Sequence, residues 1–302
     1  MDRLDAVDGI IDEVRAERIL RSGVHLARQA VDSGKSDGKK KEKKRGVALS
    51  LGPYGATMRP STEYSAAYDR PHSTLSALRT WHATRLDVYS KDPQTWKDTD
   101  YVAFETMGRT DEIAAVRLAM EDIIGSGKEE KKVWISCVFD RDSCTLPSGE
   151  SPEAALHAAL GPVKGEDNRV KQAAKVWGVG INCTKVAKLP FLIGKWEKEL
   201  KRMVKEAQSQ EGLAEVEWPV LVLYPDGTKK GERYDTTAMK WVVDENAEGE
   251  EEKEWAEEVA GIAKRVKERV ENGEVGWKAV VVGGCCRVGP EDIGKLKRKL
   301  DA

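Results

Sequence analysis

The run AVVVGGCC (279–286) decides how this chain is built. Three consecutive valines leave no polar face, as in a strand buried on both sides of a parallel sheet. The run then breaks at two glycines and delivers two adjacent thiols, Cys285 and Cys286. Five other runs share this form: GVALSLGPYG (46–55), YVAFET (101–106), VWISCVF (133–139), GVGINC (178–183) and PVLVLYP (219–225). Helix-like segments lie between them. TDEIAAVRLAMEDII (110–124) spaces its apolar residues near 3.6 and opens on an acidic turn, and 192–207 and 255–270 read alike. Strand alternating with helix predicts an α/β fold.

An open doubly wound sheet and a (β/α)8 TIM barrel both fit that alternation, and the strand ends separate them. Every run finishes on a polar or reactive residue: Tyr54, Glu105, Ser136, Asn182 with Cys183, Tyr224 with Asp226, and Cys285 with Cys286. In a barrel all strand C-termini meet at one mouth, whereas in an open sheet only those at the switch point do. Polar endings on all six runs favour the barrel. No G-x-G-x-x-G or G-x-x-x-x-G-K-[ST] phosphate loop is present. The number of strands is six, not eight, and residues 1–33 look helical. The expectation is therefore a single barrel domain over 1–302, incomplete at its front.

Bulk composition agrees with an intracellular globular protein. The 302 residues are 40% hydrophobic and 34% charged, with a formal net charge of -2, so no global field argues for nucleic acid or an anionic membrane. No apolar stretch approaches a membrane span, and the acidic, amphipathic N-terminus has no signal core. These features predict a cytoplasmic setting. The basic stretch 36–45 reads as a solvated loop insertion, and the acidic run 244–258 as a solvated helix start. Residues 289–292, Gly-Pro-Glu-Asp, read as another helix start.

Five cysteines are present, an odd number with two adjacent: Cys137, Cys144, Cys183, Cys285 and Cys286. In a reducing compartment such clustering points to metal or catalysis before disulfides. A barrel brings Cys183, at the end of the fourth run, to the same rim as Cys285 and Cys286. Gly283 and Gly284 let the backbone turn so that both following thiols face inward. Three thiolates around a tetrahedral Zn2+ leave one position open, the pattern of a catalytic site. A thiol substrate on that position would be deprotonated and nucleophilic. The bland alternative is three ordinary buried cysteines. Cys137 and Cys144 read as a core thiol and a loop thiol.

The segments SLGPYGATMRPSTEY (50–64), HATRL (82–86), AFET (103–106), GINC (180–183), LYPDG (223–227) and VGGCCRVGPEDI (282–293) resemble the homocysteine S-methyltransferase family. The likeness runs from about residue 15 to the end and is nearest to members using S-methylmethionine or S-adenosylmethionine. It implies a (β/α)8 barrel with zinc on Cys183, Cys285 and Cys286. It implies Glu105 as partner of the homocysteine ammonium; Asn182 and Ser136, at strand ends facing the same mouth, are expected to help position substrate. His82 and Arg85 match a family element and read as structural.

The family's first two strands, one ending in Asp-Gly-Gly, are not found; Asp8-Gly9 lies in a helical context. An open six-stranded barrel exposes edges and apolar interior, which predicts marginal stability or self-association. Two functions follow: zinc-dependent methyl transfer from a sulfonium donor to homocysteine, or a catalytically impaired zinc-binding barrel. Selenocysteine as acceptor would use the same chemistry.

Overall fold

Six strands form one parallel sheet: β1 (Ala48–Leu51), β2 (Tyr101–Met107), β3 (Lys132–Cys137), β6 (Gly178–Asn182), β7 (Val220–Tyr224) and β10 (Val280–Val282), in that order. They coincide with the six apolar runs. The computed structural model describes residues 12–33, 45–209, 216–229, 231–235, 238, 240–243 and 254–302. The basic stretch 36–45, save Arg45, and most of the acidic run 244–258 lie outside these residues. Two antiparallel ribbons complete the strands: β4 (Val163–Lys164) with β5 (Val170–Lys171), and β8 (Glu232–Asp235) with β9 (Lys240–Val243).

Eight helices are present among the described residues: α1 (Glu13–Ser33), α2 (Leu75–Ser90), α3 (Pro93–Asp98), α4 (Thr110–Gly125), α5 (Pro152–Leu160), α6 (Leu189–Ser209), α7 (Trp255–Glu271) and α8 (Pro290–Asp301). Helix α6 buries Leu189, Leu192, Ile193, Trp196, Leu200 and Met203, the three-and-four spacing that turns one stripe to the sheet. Helix α4 does so with Ile113, Val116, Met120 and Ile123. The asparagine-free start of α8 has Pro290 at its first turn, and Asp292 Oδ2 accepts the Gly289 N–H at 2.9 Å. One continuous apolar core joins the strands to these helices.

The alternation along each strand identifies the concave face. Ser50, Glu105, Ser136, Gly180 and Tyr224 point to it: Ser50 bonds Glu105, and a methyl on Gly180 would meet Ser136 and Val222. The arrangement is that of an incomplete (β/α) barrel. Among the described residues, β1 pairs only with β2 and β10 only with β7. At those ends the interior is open, with Ser50 exposed and Val281 42% exposed. The outer layer is firmer there: Arg28 of α1 bonds Asp98 O and Asp100, and Asp100 Oδ2 accepts the Val47 N–H that leads into β1.

Candidate metal centre

Strands β6 and β10 end on the same rim, and their three thiols meet there. Cys183 Sγ lies 2.7 Å from Cys285 Sγ and 3.8 Å from Cys286 Sγ, with 4.0 Å between the last two. They form the metal-capable group found among the described residues, and no histidine joins it. All five cysteines are free. Cys137 is buried, its thiol pushed up to about 12 by burial, and neither it nor Cys144 belongs to the cluster.

The local backbone explains the convergence. Cys183 has φ 47°, a left-handed conformation that turns the chain sharply off β6. Thr184 fixes this turn, donating to Asn182 O at 2.9 Å and accepting the Phe139 N–H at 2.9 Å. On the other side, Cys285 N donates to Pro225 O and Gly227 N to Cys286 O, which ties the thiol pair to the end of β7. Gly283 and Gly284 have ordinary negative φ, so the sharp turn expected of them is made instead at Arg287, φ 65°. Gly284 serves by its size: a Cβ there would stand 2.3 Å from Val288 Cγ1.

A tetrahedral ion with metal–sulfur bonds of about 2.3 Å sets sulfur–sulfur edges near ~3.8 Å. Two of the three edges already match, and the Cys183–Cys285 edge would open by about 1 Å. Hydrogen bonds from Cys183 and then Cys285 lower the Cys286 thiol to about 3, so one thiolate is stable within the cluster. The same bonds, to Cys285 and Cys286, raise Cys183 far above the usual thiol range, with burial adding to them. A divalent cation removes that conflict, because all three sulfurs can then be anionic. The donor set therefore fits zinc.

Several groups support the sulfurs. Asn182 donates from Nδ2 to Cys183 Sγ at 3.3 Å and to Thr106 Oγ1 at 2.8 Å, and its Oδ1 accepts the Thr106 N–H at 2.9 Å. Asn182 thus joins the ends of β6 and β2, where Thr106 has φ 59°. Tyr64 hydrogen-bonds Cys183, and burial is the largest cause holding its hydroxyl protonated. Its segment is fastened by fully buried Glu112, which accepts Tyr54 N at 2.7 Å, Tyr68 Oη at 2.5 Å and His82 Nε2 at 3.0 Å. His82 is thus a hinge of this support, and Arg85 donates to Gly52 O at 2.7 Å. Glu105 receives hydrogen bonds from Ser50 and Tyr224. Burial raises its carboxyl, against those two bonds, and the Cys285 charge raises it further. Ser136 is fully buried beside the Tyr224 hydroxyl and makes no hydrogen bond of ordinary length.

The rim thus gathers Glu105, Ser136, Asn182 and the three cysteines at adjoining strand ends. Reading the sequence placed Tyr224 among the polar strand ends of the mouth but did not single out Tyr64, which lies in a loop that periodicity does not reach. A cavity of about 370 Å³ opens on Cys183 and Cys286.

Residues 4–300 match the family model described as homocysteine S-methyltransferase. Selenocysteine Se-methyltransferase of Brassica oleracea var. italica is 27% identical over 295 residues, covering 95% of this chain and 68% of that protein. Homocysteine S-methyltransferase 1 of Arabidopsis thaliana is 28% identical over 255 residues, 84% of this chain and 60% of that protein. Betaine-homocysteine S-methyltransferase of Drosophila melanogaster is 27% identical over 293 residues, 95% and 72%. The chain thus spans about 60–72% of the length of these relatives. With a family match over nearly its whole length and a thiol trio on a parallel-stranded rim, the chain belongs to the homocysteine S-methyltransferase family.

Proposed function

We propose that this chain, with zinc held by Cys183, Cys285 and Cys286, transfers a methyl group from a sulfonium donor to homocysteine, giving methionine. The observation that carries the reading is the meeting of three thiols from strand ends 102 and 103 residues apart, in a chain of this family. Zinc, when bound, would lower the pKa of a substrate thiol and keep its sulfur nucleophilic at neutral pH.

The protein's own groups do the remainder. Glu105 receives the homocysteine ammonium, which returns its raised carboxyl to the ionised form. Ser50 and Tyr224 orient that carboxylate, and the fully buried Ser136 and Asn182 back the site from adjoining strand ends. Asn182 and Tyr64 hold Cys183 in place through hydrogen bonds. In the transfer a carbon–sulfur bond forms to the acceptor while the donor's carbon–sulfur bond breaks. The bonding pair stays on the donor sulfur, which leaves as a neutral thioether and needs no general acid. Alignment therefore supplies most of the protein's share of catalysis. The selenocysteine-methylating relative supports a selenol as alternative acceptor. No helix among the described residues is long and apolar enough to cross a membrane, and a cytoplasmic setting suits the free thiols.

The test is zinc per chain beside labelled-methyl transfer. About one zinc per chain is expected, lost in Cys183→Ser. Labelled methyl should appear in methionine and be lost in Cys285→Ser. Activity that survives Cys285→Ser ends the mechanism.

A second reading is favoured by the open ends of the sheet at β1 and β10. There the chain is a zinc-binding barrel without turnover, and the exposed interior at Val281 promotes self-association. Zinc uptake without methyl transfer selects this reading, and a cooperative melt of a clean monomer removes its self-association.

A further inference from the structure

Glu105 is served by a chain of hydrogen bonds that begins lower in the barrel. Trp134 precedes Ser136 by two positions in β3 and so shares the concave face with it. Its indole Nε1 donates to the Tyr224 hydroxyl oxygen at 3.3 Å, and Tyr224 in turn hydrogen-bonds Glu105. These residues stand on β3, β7 and β2, with β6 between β3 and β7. On the concave face β6 carries Gly178 and Gly180, so no side chain separates the indole from the phenol. A Cβ on Gly178 would already stand 3.3 Å from Trp134 Cβ. Two further rings steady the indole: the centroids of Tyr101 and Trp177 lie 5.8 and 6.3 Å from it and 5.3 Å from each other.

We propose that Trp134 is a positioning residue for the amino-acid substrate, acting through Tyr224 by fixing the direction in which its hydroxyl donates. The inference rests on the reading of Glu105 as the ammonium partner and adds to it the group that sets that carboxylate's hydrogen bonds. An indole N–H donates and cannot accept, so in this pair the Tyr224 oxygen is the acceptor. The phenol then has one proton to give. Ser136 Oγ, beside the same oxygen, makes no hydrogen bond of ordinary length. The proton therefore goes to Glu105, whose ionised carboxylate only accepts. A hydroxyl polarised by the indole is also a stronger donor than an isolated phenol. Ser50 donates to the same carboxylate, so both internal bonds hold it from the strand side and its remaining lone pairs are left for an incoming ammonium. Without the Trp134 N–H the Tyr224 hydroxyl can turn to Ser136, and Glu105 loses a donor that its buried charge depends on.

The test is calorimetric titration of the zinc-loaded full chain with L-homocysteine and with γ-mercaptobutyrate, which keeps the thiol and carboxylate but lacks the amino group. Zinc content and a thermal melt are measured on the same samples. The parent should bind homocysteine about tenfold more tightly than the analogue. Trp134→Phe keeps a ring among Tyr101 and Trp177 and removes the N–H. It should weaken homocysteine binding about fivefold and leave analogue binding within about twofold. Tyr224→Phe, which leaves Trp134 in place, should show the same selective loss. Adding Trp134→Phe to Tyr224→Phe should then cost homocysteine nothing further, because the chain of bonds is already cut. Equal weakening of both ligands, an unchanged homocysteine affinity in either single variant, or additive losses in the double variant overturns the assignment. A parent that holds zinc but binds both ligands alike, or neither, instead overturns the reading of Glu105 on which it rests.

Discussion

Replacing Gly180 by alanine tests whether the barrel interior is as tightly closed as the structure places it. Gly180 sits in β6, all five residues of which are buried, in one row with Ser136 on β3 and Val222 on β7. An added methyl would lie 2.2 Å from Ser136 Oγ and 2.6 Å from Val222 O. Ordinary contacts at carbon are about 3.5–4.0 Å, so each neighbour must retreat by about 1 Å. The serine hydroxyl can change rotamer, but the Val222 carbonyl belongs to the strand and moves only with it. Overpacking of this kind costs about 1–3 kcal/mol, and the backbone contact places Gly180→Ala at about 2–3. At roughly 2–4 °C per kcal/mol for chains of this order, the melting temperature should fall by about 5–10 °C. Thermal and urea melts with unchanged zinc loading measure it. Adding Ser136→Gly should recover part of the loss, because only the Val222 contact then remains. A Gly180→Ala protein melting within about 1 °C of the parent would refute the interior packing described here.

Asn182→Ala should destabilise the fold by about 1–3 kcal/mol, since it leaves the buried Thr106 N–H without its acceptor. It should also weaken zinc retention against a chelator, through loss of the bond to Cys183. Stability should decline on acidification below about pH 6.5 through His82. Burial lowers this imidazole's pKa in the folded state, so the unfolded chain binds the proton first, and the contribution is complete above the unfolded pKa. Urea midpoints between pH 7.5 and 5.5, compared with His82→Gln, should show a shallower slope in the variant; equal slopes would exclude His82 as the source.

The amino-acid sequence was enough to locate the six strands, because short runs of valine, isoleucine and leucine bounded by turn residues suit a parallel sheet, although β1 and β10 leave Ser50 and Val281 exposed at its open ends. It also determined α4, α6 and α7, where apolar spacing near 3.6 is unbroken. The three thiols were legible because each stands at a strand end and the barrel topology sends those ends to one rim. Tertiary structure alone decided what surrounds them. Tyr64 reaches Cys183 from a loop whose position depends on Glu112, forty-eight residues further along, and no local pattern links the two. Asn182, expected to position substrate, spends its amide on Thr106 and Cys183, a use fixed by the pairing of strand ends. The role of Gly284 likewise depends on the approach of Val288, not on the conformational freedom that its residue type suggests. Strand and helix periodicity are properties of neighbouring residues, whereas hydrogen-bond partners and close contacts are set by which distant segments the parallel sheet brings together.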